Sequence, residues 1–266
     1  MYKSLRKHWR LFWKFRQLRL MLLLEYRNSF FFWSLVSVLW TAFNYFFFSL
    51  IVSANNTIAG WNQSEMYVLI STFTILDAFT WSFFYANMTT YTKSIFYGEM
   101  TTYLTRPVST QFLVSIQNNS FNNIFRLVIG IVVLVKAVQA TQVPLSLGTI
   151  LLYVTFMILS LLFIYSLWFI VATCAFWVER LDNINELIPA TRRMWQVPRG
   201  VYSGLASTLF TVILPLGLIS TIPSEILLGK GELRWMVYYG IFAVGSLLFS
   251  TWFFRISVKR YSGVGN

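Results

Sequence analysis

Asp77 and Arg126 are the residues whose type and setting most strongly suggest chemistry, because each lies deep inside a long apolar stretch, at 65–89 and 111–138. A charge at the centre of a bilayer costs about 2.5–3.5 kcal/mol on insertion scales, so it needs a partner or a purpose. Counting about 1.5 Å per helical residue, Asp77 lies roughly 20 Å from the start of its stretch and Arg126 roughly 17 Å from the end of its own. Antiparallel neighbours at such depths can form an ion pair. That pair is either a clamp on helix register or a polar point on a substrate route. Other reactive chemistry is sparse. The one histidine, His8, sits in a basic segment, and a metal site needs a cluster of ligands. Asp182 and Glu186 share a helical face at i, i+4, the ordinary pattern of a solvated pair. No phosphate-binding Gly-x4-Gly-Lys-Ser/Thr loop occurs. No catalytic residue, metal ligand or cofactor is therefore assigned to the chain.

The elements that must hold Asp77 and Arg126 are membrane helices. The sequence is 57% hydrophobic and only 11% charged, where a soluble domain carries about a quarter charged residues. Six apolar blocks of bilayer length are expected, at 29–53, 65–89, 111–138, 147–178, 202–221 and 235–256. The fourth is long enough to tilt or extend beyond the membrane. The fold class is an all-α membrane protein with six transmembrane helices.

The net charge of +12 would suit nucleic acid, but its placement argues against that partner. Basic residues crowd positions 3–27, Lys93 and Arg106, Arg180, Arg192, Arg193 and Arg199, and Arg255, Lys259 and Arg260. In a six-span chain all of these fall on one side, against Lys136, Lys230 and Arg234 on the other. That asymmetry places both termini in the cytoplasm, in what is expected to be a bacterial inner membrane. Cys174, the single cysteine, lies inside an apolar block and excludes a disulfide within the chain. The N-terminal stretch lacks the short apolar core and cleavage site of a signal peptide. Asn55-Asn56-Thr57 matches the glycosylation triplet but carries little weight.

Residues 1–27 form an amphipathic segment ahead of the six-span transmembrane domain at 28–266. Leu5, Trp9, Phe12, Trp13 and Leu20 share one arc, opposite Lys3, Arg6, Lys7, Arg10 and Lys14. Such a helix lies in the membrane surface and meets membrane lipids, and Arg16, on the apolar arc, is expected to snorkel. Residues 97–104 can make one to two helical turns before Arg106-Pro107. Residues 179–200 read as a solvated mixed-charge stretch punctuated by Pro189 and Pro198. The segment 222–233 is too short to span. Pro223 opens it, Ile226-Leu227-Leu228 can dip into lipid and Gly229 can turn it back, a re-entrant pattern. Glu225, in its first turn, is either a partner for the positive end of a helix or a contact for cargo, and the position just after a proline favours the first. The sequence has no internal repeat.

Two polar stretches carry a resemblance. In the first, Gly98, Met100, Leu104 and Pro107 follow Gly-x-Leu-x-x-x-Leu-x-x-Pro, with methionine for the first leucine. Further on come Val201-Tyr202, Leu214-Pro215, Thr221-Ile222-Pro223, Glu225, Gly229 and the ending Lys259-Arg260-Tyr261-Ser262. Over most of its length the chain resembles the permease subunits of type-2 ATP-binding-cassette (ABC) exporters. The resemblance implies an N-terminal connecting helix, and a coupling helix made here by Gly98, Glu99, Met100, Tyr103, Leu104, Arg106 and Pro107. It also implies an outer re-entrant gate at Pro223, Glu225 and Gly229. It implies two copies of a separate ABC ATPase subunit, which would bind the ATP and magnesium, and a second permease, identical or homologous. The alternatives are an integral membrane lipid-modifying enzyme, which would want a His/Asp/Glu cluster, and a secondary transporter or channel, which would want more polar spans.

Overall fold

The computed structural model describes residues 2–55, 57–178 and 184–261. Among them the chain is helical, with one isolated bridge between Ile58 and Trp61 and no strand. Helix α1 (Tyr2–Glu25) turns at Tyr26 into α2 (Arg27–Asn55). Helix α3 (Gln63–Phe79) continues through a π-turn, Thr80–Tyr85, into α4 (Ala86–Phe96). Two short helices follow, α5 (Thr101–Leu104) and α6 (Thr110–Ile116), then α7 (Ile124–Thr141) and α8 (Leu147–Thr173). The last part holds α9 (Leu187–Ala190), α10 (Gly204–Ser207), α11 (Thr221–Leu227) and α12 (Leu233–Val258). Five runs are long and apolar enough to cross a membrane: Arg27–Ala54, Gln63–Phe96, Ile124–Thr141, Leu147–Phe176 and Leu233–Val258.

Local chemistry sets where these helices start. Asn62 and Glu65 form a reciprocal capping box at the head of α3, each side chain accepting from the other's N–H. The Ser146 hydroxyl accepts from the Thr149 N–H at the head of α8. The third block, expected to be continuous over 111–138, is interrupted at 117–123 between α6 and α7. Helix α7 then packs on α3 at Gly130, where a Cβ would lie 3.1 Å from the Ile75 side chain and 3.2 Å from that of Thr74. The missing side chain lets the two backbones approach.

The fifth crossing is not where hydropathy placed it. Helix α8 finishes at the end of the bundle that carries Lys93, Arg106 and Lys259, the basic end, where Trp177 donates to Ser257 at 3.1 Å. Helix α12 starts at the opposite end, so the chain must cross once between them. Residues 184–201 make that crossing. Asn185 accepts from Thr92 at 3.2 Å, Glu186 accepts from Tyr85 at 3.1 Å, Arg192 meets Asp77, and Gly200 lies against Ala59. These partners step along α4 and α3 from the basic end to the loop before α3. The crossing is built of 3₁₀ turns, Ile184–Glu186, Thr191–Trp195 and Arg199–Val201, around α9. Pro189 and Pro198 forbid a regular helix, and the larger 3₁₀ rise of about 2 Å per residue gives so short a segment its reach. The stretch is thus no solvated face: Trp195 is wholly buried and Ile184 and Ile188 nearly so. Arg192 lies in the interior and Arg199 at the opposite end, so neither belongs with the basic loops. Glu179, Arg180 and Asp182 lie outside the described residues, as do Asn56 and Ser262.

The block at 202–221 belongs instead to a bent pair, Gly204–Ile213 and Leu216–Leu227, with 75° between its arms. It leaves from Tyr202 and returns to Glu225, which pairs with Arg199, so it enters and leaves at the same end. Gly217 permits the bend, since a Cβ there would lie 2.9 Å from the Tyr202 ring. Ile226, Leu227 and Leu228 are buried against protein rather than dipping into lipid. Backbone outside a regular helix needs partners where water is scarce. Hydroxyl groups supply them: Ser220 to the Trp195 carbonyl, Ser160 to that of Ile219 at 2.7 Å, Tyr202 to that of Met194 at 2.8 Å, and Tyr238 to that of Val212.

This path has a direct test. In a Cys174→Ser background, Ser203→Cys and Lys230→Cys should react with an impermeant maleimide added from one side of the membrane, and Thr102→Cys only from the other. Reaction of Ser203→Cys from the Thr102 side would restore a straight span at 202–221 and overturn the crossing at 184–201.

Candidate functional site

Arg126 and Gly130 lie one turn apart on the same face of α7. The close approach of Gly130 to Thr74 and Ile75 therefore carries Arg126 to the next turn of α3, where Asp77 stands. Arg126 Nη2 pairs with Asp77 Oδ2, and the same oxygen accepts from Arg192 Nη2 on the fifth crossing. Asp77 is wholly buried and Arg126 is 5% exposed. One carboxylate thus serves two guanidinium groups and leaves a net positive charge. Two rings face that excess, Trp81 at 5.3 Å and Phe73 at 6.0 Å from the Arg192 guanidinium carbon. The π-turn after Asp77 holds one more residue per turn than an α-helix, and it presents Trp81 to Arg192 and Tyr85 to Glu186. Asp77 Oδ1 and the Nε atoms of both arginines are buried without a hydrogen-bond partner. No group of three metal-ligating side chains occurs among the described residues. The arrangement is an electrostatic clamp joining three crossings.

At the basic end, Gly98 ends α4 with φ +72°, a backbone conformation suited to glycine. The chain then forms α5. Met100 is wholly buried behind it, with Ser94 Oγ donating to its sulfur at 3.7 Å. Tyr261 donates to the Gly98 carbonyl at 2.5 Å and its oxygen lies 3.3 Å from Thr101 Oγ1. Glu99, Thr102, Arg106 and Pro107 are exposed, and Tyr103 and Leu104 are half-buried. The short helix is therefore held from behind and open in front.

At the opposite end, Pro223 is buried in the first turn of α11 and Gly229 turns the chain with φ +66°. Glu225 does not serve a helix end, as its position suggested. Its Oε1 accepts from Arg199 Nε at 3.0 Å, and Arg199 also reaches Glu232 at 2.7 Å. Arg199 lies 4.9 Å from the Trp235 ring. Lys230 pairs with Glu65 at 2.7 Å, tying the turn to the head of α3. These groups border a cavity of about 380 Å³ lined by Trp61, Arg199, Tyr202, Glu225, Glu232 and Trp235. Sequence reasoning missed Arg192, Arg199 and Tyr261. The apolar residues between the two prolines, together with the arginines, were the available sign of a buried segment.

Compared with protein families, residues 38–265 match the model for ABC-2 family transporter proteins. The chain belongs to that family and is a membrane component of a transporter, of the permease type. No curated protein and no solved structure matches it.

The clamp orders the effects of substitution. Asp77→Asn leaves two buried cations unpaired and should cost about 3–5 kcal/mol, the range for breaking a buried ion pair. Arg126→Gln should cost less, since Arg192 still serves the carboxylate. Adding Arg126→Gln to Asp77→Asn should rescue only part of the loss, since Arg192 remains uncompensated. Thermal unfolding in one detergent measures all three variants, and full rescue in the double variant would remove Arg192 from the clamp.

Proposed function

We propose that the chain is the membrane-spanning permease of an exporter driven by ATP hydrolysis on a separate ATPase subunit. Family membership supports the transporter class, and a separate subunit for hydrolysis is part of the proposal, in keeping with a sequence that carries no phosphate-binding Gly-x4-Gly-Lys-Ser/Thr loop. The observation that carries the reading is α5: a short helix exposed in front, at the basic end, and fastened behind to two transmembrane helices. Met100 fastens it to α4 and Tyr261 to the end of α12. A helix so held can pass a push from a docked subunit into the bundle.

In this reading two ATPase subunits and two permeases, identical or homologous, make one transporter in a bacterial inner membrane with both termini cytoplasmic. ATP closes the ATPase pair, the α5 helices move, and the path between the permeases opens outward. Pro223, Glu225 and Gly229 belong to the re-entrant hairpin at the exit, where the Arg199–Glu225 pair fixes its position against the fifth crossing. Asp77, Arg126 and Arg192 keep the crossings in register during the movement.

Co-purification with a soluble ATPase, followed by ATP-driven transport in vesicles, tests the class. A chain that carries out transport or lipid chemistry alone would overturn it. Within the complex, Glu99→Lys should weaken ATPase association. Tyr261→Phe, which removes the hydroxyl's bonds to Gly98 and Thr101, should keep the association and lower transport per ATP about tenfold, the effect of about 1.4 kcal/mol. Unchanged coupling in Tyr261→Phe would show that the strap behind α5 transmits nothing.

A further inference from the structure

The break at 117–123 is held open by side chains. Asn87 accepts from the Asn118 N–H at 2.7 Å and donates to the Asn118 carbonyl at 2.6 Å. The Ser120 N–H donates to the Ser82 carbonyl at 2.8 Å. The carbonyl of Ile116, at the end of α6, accepts from Arg16, which reaches it from α1. Arg16 does not snorkel to the surface. It is 6% exposed, with its guanidinium 4.7 Å from the ring of Phe12 and 5.4 Å from that of Phe83. Its Nε and Nη1 have no hydrogen-bond partner, and among the described residues no carboxylate pairs with it. Burial and the nearby Arg19 cation lower its pKa to about 10, so it stays charged at neutral pH. Just after Ile116, Gln117 Nε2 and both side-chain amide atoms of Asn119 are also buried and unpartnered.

A buried cation with idle donors is costly unless an anion meets it. The neighbouring space limits what that anion can be attached to. A cleft of about 160 Å³ lies between the π-turn and the start of α7, lined mainly by Phe79, Phe83, Phe121, Ile124 and Leu127. Phe83 belongs to both places: one ring borders the apolar cleft and lies under the guanidinium. A free phosphate would satisfy Arg16 and leave the cleft empty, and an uncharged lipid would do the reverse.

We propose that the break between α6 and α7 is a binding site for an anionic phospholipid, with its phosphate on Arg16 and an acyl chain in the Phe79–Phe83–Phe121 cleft. The basic arc of α1 raises the local concentration of such lipids. The Gln117 and Asn119 amides supply further polar partners for the headgroup. The lipid completes the third crossing at the point where its own helix is interrupted.

Three probes separate the parts of the ligand: phosphatidylglycerol, diacylglycerol without phosphate, and glycerol phosphate without chains. Native mass spectrometry of the purified protein should show retention of phosphatidylglycerol above both others. Arg16→Gln should lower its affinity about tenfold or more, the effect of losing a charge-assisted hydrogen bond, and Lys136→Gln, an exposed cation near the far end of α7, should leave it nearly unchanged. In the unaltered protein, phosphatidylglycerol with a photoreactive tail should crosslink within residues 79–83 or 121–127, a readout that needs no variant to fold. Equal affinity in Arg16→Gln, crosslinks confined to other segments, or displacement by glycerol phosphate at equal concentration would each overturn the proposal.

Discussion

The carboxylate of Asp77 is the constraint on which the bundle depends. It is a single acceptor, wholly buried, shared by guanidinium groups from α7 and from the fifth crossing. Removing charges from water is expensive, and a buried pair often gains little net stability over apolar packing. What such a group gives is position. Only one register of α7 on α3 brings Arg126 to Asp77, and only one path for residues 184–201 brings Arg192 there too. The rings of Trp81 and Phe73 face the unmatched cation, so aromatic density stands where a second carboxylate is lacking.

The fifth crossing needs such a clamp because its own backbone cannot hold it. A regular helix satisfies its hydrogen bonds internally and can face lipid, whereas a chain of 3₁₀ turns must be surrounded by protein. The burial of Ile184, Ile188 and Trp195 reflects that requirement. So do the hydroxyls of Ser220 and Tyr202 on the carbonyls of Trp195 and Met194. Arg192 on Asp77 and Arg199 on Glu225 then fix the segment at its middle and at its far end. The break in the third crossing follows the same logic, with Asn87, Ser82 and Arg16 in place of hydroxyls.

The helical class and five of the crossings were legible in the sequence because regular membrane helices write themselves as long apolar blocks. The depths of Asp77 and Arg126 could be counted along those blocks. The third member of the clamp could not. Arg192 and Arg193 lower the hydropathy of residues 184–201 until it reads as a loop, and what hides the charge of Arg192 is a tertiary contact. The neighbouring block at 202–221 then took the role of the missing crossing, since its composition is that of a span. Gly217 and Leu214-Pro215 were the local signs of a bend within it. Glu225 reads as a helix-end acid because it follows Pro223 in a first turn, and its partner, Arg199, lies in a stretch whose charge suggests the opposite end.

Helix α12 joins the two ends that the proposed transport cycle must connect. It is one unbroken helix of 26 residues, which at about 1.5 Å per residue is about 39 Å long. Near its start, Tyr238 and Tyr239 reach the re-entrant hairpin, the first through the Val212 carbonyl and the second through Ser160 to that of Ile219. Just past its finish, Tyr261 holds Gly98 and Thr101 beside α5. A tilt of this rod moves both ends together without any change in its own hydrogen bonds. The fifth crossing also joins the two ends, and it is irregular and pinned in the middle by Asp77. In the proposed cycle, a stiff rod beside a strut pinned at its middle would carry movement at α5 into displacement of the hairpin relative to the clamp.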